Sequence, residues 1–136
     1  MGNAPLNKLY AIMLTIYSCT KQAEARAYHD KLSTMVSPMY NNVLLLAALA
    51  SFIFGPCIGY FDCYFDMPHH MLSAKIFTLG EIIYVYGVVY AICQNRNQFS
   101  PQANSTIDVC VKALAVMAIV AILMQIGSGT LGFAVG

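Results

Sequence analysis

Hydrophobic and polar positions alternate along this chain in long blocks, not residue by residue. Val43 to Phe61 reads VLLLAALASFIFGPCIGYF and contains no charged side chain. Met71 to Cys93 is apolar apart from Lys75 and Glu81, and Val109 to Gly132 carries only Lys112 and Gln125 as strongly polar interruptions. Crossing a bilayer as a helix takes about 20 predominantly apolar residues. The three blocks therefore predict three transmembrane helices, at about 43–61, 71–93 and 109–132.

The chain ahead of them has a different pattern. LNKLYAIMLTIYSC is apolar but too short to span, and TKQAEARAYHDKLSTMV is rich in helix formers and charge. Ser37-Pro38 closes this region, because a residue before proline is pushed out of the α conformation. The expected fold is an all-α integral membrane protein: an N-terminal amphipathic or interfacial helical segment over 1–38, broken near Cys19 and Thr20, then a three-helix membrane domain over 39–136. The polar stretch QNRNQFSPQANSTID, 94–108, reads as a loop with Pro101 as its breaker.

Small residues recur inside the apolar blocks. Ala47, Ser51, Gly55 and Gly59 follow one another at intervals of four, and Gly80 and Gly87 fall on a seam with Ser73 and Ala91. Ser128 and Gly132 continue the same theme in the third block. In lipid, helices associate where small side chains let the backbones approach, so Ala47, Ser51, Gly55, Gly59, Gly80, Gly87, Ser128 and Gly132 are the expected helix-packing residues. Pro56 should kink the first span and free a carbonyl near Phe52.

Composition narrows the class. Hydrophobic residues make up 59% of the chain and charged residues 10%, against about 25% charged in soluble domains. A net charge of +1 provides no basic surface for nucleic acid. The five cysteines form no CxxC pair and read as free thiols. Leu9 to Tyr17 runs into charged residues instead of a small-residue cleavage site, so no cleaved targeting peptide is expected. In chain order, Lys8, Lys21, Arg26 and Lys31 precede the first span and Arg96 lies in the second loop. The positive-inside rule then places the N-terminus inside and the C-terminus outside, and leaves the sequon Asn104-Ser105-Thr106 on the inner side, unmodified.

Candidate chemistry concentrates in the second apolar block. Glu81 falls near its centre, where an acid costs about 2.5 to 3.5 kcal/mol on insertion scales and must face protein or water. His70 lies eleven residues earlier, on nearly the same face at about 100° per residue, and Tyr84 continues that stripe. This line could hold a quinone or haem shared with a partner chain, or carry protons. The alternative is that Glu81 bonds a neighbouring helix, through Gln125 or a partner. Lys75 points elsewhere and is expected to snorkel or to pair with Asp62 or Asp66. Adjacent His69 and His70 cannot easily share one metal. No P-loop, dinucleotide fingerprint, HExxH or nucleophile triad occurs. The three-span plan with a histidine heading one helix is similar in outline to succinate dehydrogenase anchor subunits. The Ser-x-x-His-Arg pattern of such an anchor is absent, and no residue role carries over.

The sequence therefore points to a non-catalytic, structural accessory subunit of a large membrane complex, such as a respiratory-chain or ATP synthase complex of the mitochondrial inner membrane. Its partners would be other membrane subunits and lipids, with no cofactor of its own. The alternatives are an anchor subunit using His70, Glu81 and Tyr84, and a small homo-oligomeric channel or transporter.

Overall fold

The computed structural model describes the backbone of residues 4–61 and 66–135, and the side-chain surroundings of 6, 8–61 and 66–124. The described chain is all-helical: α1 Ala4–Leu32, α2 Pro38–Tyr60, α3 Met67–Gln94, a short 3-10 turn Arg96–Gln98, and α4 Pro101–Val135. Three of these are long and apolar enough to cross a membrane, namely α2, α3 and the Pro101–Met124 part of α4. The chain divides into two units, Met1–Gln94 and Asn95–Gly136, each described by itself.

Every apolar helix opens on a proline. Pro38 stands in the first turn of α2, Pro68 in that of α3 and Pro101 in that of α4. Proline suits this place because its fixed φ matches the helix and its missing N–H would be unbonded there anyway. Ser37 caps α2, its Oγ accepting from the Tyr40 N–H at 3.3 Å. Ser100 does the same for α4, accepting from the Ala103 N–H at 3.2 Å. Asp66 precedes α3, and its carbonyl accepts from the His70 N–H at 3.0 Å.

This local chemistry moves two expected boundaries. α2 starts at Pro38 instead of Val43, and α4 starts at Pro101 instead of Val109, since the supposed breaker is a helix opener. The polar stretch after α3 shrinks to a 3-10 turn. Arg96 pairs with Asp108 across it, and the Asn104 Nδ2 donates to the carbonyls of Arg96 and Phe99. α2 runs through Pro56 to Tyr60.

In the first unit, α1 is one unbroken helix of 29 residues, about 44 Å long at 1.5 Å per residue. It packs lengthwise and antiparallel along α2. A Cβ placed on Gly59 would meet the Ala11 Cα at 2.5 Å, and one on Gly55 would meet the Ser18 Oγ at 2.6 Å. At the other end, the Asn41 Nδ2 donates to the His29 carbonyl at 2.8 Å. The α1 residues buried in this seam are Ala11, Ser18, Ala25 and Leu32. Their spacing of seven residues keeps one face of a slightly underwound helix against its neighbour.

On its other side α2 meets α3. A Cβ on Gly80 would fall 2.5 Å from the Ser51 Oγ and 2.7 Å from the Ala47 carbonyl oxygen; one on Gly87 would collide with a Leu44 methyl. The Ser51 Oγ donates to the carbonyls of Ala47 and Phe77, and the Tyr40 hydroxyl to that of Gly87 at 2.9 Å. Leu32, Leu44 and Ala91 close the bundle at the α1–α2 turn, with Met35, Val36, Tyr40, Tyr84 and Val88 packed around them.

The antiparallel course of α1 has a topological result. Its amino-terminal half lies beside the α2–α3 end of the bundle. Lys8 therefore sits towards the end that α3 begins from, not the end at which α2 begins. The one-sided distribution of basic residues read from chain order is not the distribution in the folded unit.

Candidate functional site

Residue pairings set the relative height of each side chain along α2. Ser18 lies against Gly55 and His29 against Asn41, so Lys21, Glu24 and Arg26 lie alongside the part of α2 between those two levels. On the other side, Gly80 lies over Ser51 and Ala47, which sets Glu81 at that same level. An acid of α3 and the charged half of α1 therefore meet beside the most apolar part of α2, which from Leu44 to Gly55 contains no titratable side chain.

The contact joining them is Tyr17. Its hydroxyl donates to the Glu81 Oε2 at 3.4 Å, and its ring packs edge-on against Phe77 one turn earlier in α3, with centroids 6.5 Å apart. The Lys21 ammonium lies 5.8 Å from the centre of the Tyr17 ring, on the same face of α1 one turn along. Three buried oxygens nearby lack a hydrogen-bond partner among the described residues: Ser18 Oγ, Gln22 Oε1 and Tyr84 Oη. Ser18 is only 2% exposed. Groups so placed need a donor or an acceptor.

The residues of the expected His–Glu–Tyr line all stand on α3. Glu81 and Tyr84 share one face of α3, three residues apart. His70 stands three turns away, its Nδ1 on the Phe61 carbonyl at 2.9 Å, where it ties the start of α3 to the end of α2. His69 is engaged in the same turn, pairing with Asp66 and lying over Phe61. Asp66 is thus bound to His69, while Lys75 is exposed. Gln125 and the small residues Ser128 and Gly132 lie outside the described side chains. So do Asp62 and Cys63.

Tyr17, Lys21 and Glu24 were not among the site residues expected from the sequence. The signal for them was the spacing of Ala11, Ser18, Ala25 and Leu32, which brings α1 against the bundle and carries the intervening polar residues with it. Among the described residues, Cys19, Cys57 and Cys110 are free thiols. Among the described residues no group of three or more His, Cys, Asp or Glu is placed to hold a metal ion. Comparison with protein-family models, curated proteins and solved structures finds no match to this chain.

Proposed function

We propose that this chain is an integral membrane protein with a structural role: an accessory subunit of a larger membrane complex. The observation that carries the reading is the exposed charge of α1. Glu24 and Arg26 are exposed beside the apolar run of α2. In a bilayer that spans α2, such groups cannot face lipid without a cost of about 2.5 to 3.5 kcal/mol each. A polar surface of a neighbouring subunit removes that cost. The exposed apolar surfaces support the same reading. Leu79, Ile82 and Ile83 of α3 are exposed, as are Val116, Met117 and Ile119 of α4. Lipid and partner helices are the two media that accept them.

The complex is placed, as a proposal, in the mitochondrial inner membrane, among energy-transducing assemblies. No catalytic role and no cofactor of its own belong to this reading. A shared quinone or haem would have to use His70 alone or Glu81 with Tyr84, since the two parts lie at different depths.

Extraction in mild detergent followed by native electrophoresis and mass spectrometry tests the proposal. The expected result is co-migration with several different membrane subunits, far above the 14.9 kDa of the chain. A band containing this chain alone, as monomer or homo-oligomer, would overturn it and favour an independent channel or transporter. Fractionation of organelles tests the location separately.

A further inference from the structure

The outward face of α1 carries a second seam. Ala11, Ser18 and Ala25 are buried against the bundle. The residues two places before and two places after each of them stand about 160° round the helix from it. These are Leu9, Met13, Ile16, Thr20, Ala23 and Ala27, and all six are exposed. They follow one another at alternating intervals of four and three, the spacing with which one helix seats its side chains between those of another. We propose that this face binds the same face of a second copy of the chain, as a parallel pair of α1 helices about an axis along the membrane normal. The inference rests on the membrane placement proposed above, and deepens that reading by naming the neighbour against which Glu24 and Arg26 stand.

Charge identifies the occupant. Glu24 and Arg26 are exposed, and neither belongs to an ion pair among the described residues. They stand on opposite flanks of the seam, about 160° apart round the helix and only about 3 Å apart along it. Residues two apart on one helix do not face each other, so neither neutralises the other. Copies inserted with the same sidedness pair with their helices parallel. A two-fold axis along the seam then turns the Glu24 flank of one copy onto the Arg26 flank of the other. Each chain supplies the base for its partner's acid and the acid for its partner's base. The surface is thus its own complement, whereas an antiparallel pair would set like flanks against each other.

Size agrees with charge. Level with these two residues the seam consists of Thr20, Ala23 and Ala27, and small side chains let two backbones come close. Leu9, Met13 and Ile16 extend the contact as bulkier apolar packing, at 54%, 61% and 62% exposure in the single chain. Lys31, the next charge on the Glu24 flank, is drawn aside over the Tyr28 ring, 5.9 Å from its centre. Asp30 comes next in the spacing, beside the α1–α2 turn, and ends the seam with an exposed carboxylate.

Disulfide cross-linking of the full chain in membranes tests the pairing. With the native cysteines replaced, one cysteine at Ala23 or at Ala27 can bridge only to a different chain. Oxidation should convert most of either variant to a species of twice the chain mass, containing this chain alone. It should leave Tyr28→Cys, which lies off the seam, as monomer. All these positions are exposed, so the bundle itself is undisturbed. The charges are tested in the Ala27→Cys chain. Glu24→Arg and Arg26→Glu, each expressed alone, should lose most of the cross-linked species, because like charges then meet. Co-expressing the two, or placing both changes in one chain, should restore it. A different partner would keep its own charges, so the double reversal could not recover such a contact. No dimer from either position, an equal yield from Tyr28→Cys, a cross-link to another protein, or no recovery on double reversal would overturn the proposal. Native electrophoresis of the cross-linked sample separates this inference from the larger complex. The dimer within a band of several membrane subunits supports both. The dimer alone removes only the larger complex, and several subunits without the dimer remove only this pairing.

Discussion

At the scale of single residues, glycines set how closely the helices approach, and their neighbours decide how much a substitution costs. A methyl on Gly59 would press on the backbone of Ala11, which cannot move without moving α1. A methyl on Gly87 would press on the tip of a leucine, which can change rotamer. Gly59→Ala should therefore destabilise the bundle by about 1 to 3 kcal/mol, and Gly87→Ala by distinctly less; thermal melts of the two variants in one detergent make the comparison. Replacing Ala11 by Gly in the Gly59→Ala background should recover little, because the Cα and N of residue 11 stay in the way. Asn41 offers a different test. It ties the His29 carbonyl, near the end of α1, to the first turn of α2, so Asn41→Leu should cost about 0.5 to 1.5 kcal/mol by removing one of the two hydrogen bonds that carbonyl accepts, the other coming from the Ser33 N–H. Asn104 belongs to the same scale. Its amide is spent on the Arg96 and Phe99 carbonyls within a helical turn, so the sequon should remain unmodified on either side of a membrane, and peptide N-glycosidase should leave the mass of the purified chain unchanged.

At the scale of elements, the chain announces its apolar helices clearly and its first helix poorly. Length and hydropathy were enough for three apolar helices, since each run is long and apolar enough to cross a membrane. Their start points were written in Ser37-Pro38 and Ser100-Pro101, but a proline read as a stop for the preceding segment hides its equal suitability as a first-turn residue of the next. α1 was harder because its seam consists of Ala11, Ser18, Ala25 and Leu32. Three of these are small, and small residues give almost no amphipathic signal even when they form the closest contact in the structure. The Tyr17–Glu81 contact could not be read from sequence for the same reason: it follows from the seam, across 64 positions of chain. Ser37 gives an element-scale prediction. Ser37→Ala removes the cap on the Tyr40 N–H and should cost about 1 kcal/mol, visible as a lowered midpoint in the same melts.

At the scale of the whole molecule, the antiparallel pairing of α1 with α2 makes a prediction about sidedness. An interfacial segment would keep both its ends on one face of the membrane. A helix running the depth of the first unit places them on opposite faces. Single cysteines introduced at Leu6 and at Thr34, in a chain stripped of its native cysteines, should react with an impermeant maleimide from opposite sides of sealed vesicles. Reaction of both from the same side would return α1 to the surface.

The uneven polarity of α1 also bears on how the protein is made. Its apolar first half is too short, and its second half too charged, for the helix to enter a bilayer unaided. The contacts that would hold it there, Gly55 and Gly59 of α2 and Glu81 and Phe77 of α3, are synthesised later. α1, made before α2 and α3, is thus the last of the three to take its place, and a chain cut off before α3 should leave it open to protease. Until Glu81 arrives, Tyr17 has nothing to hold.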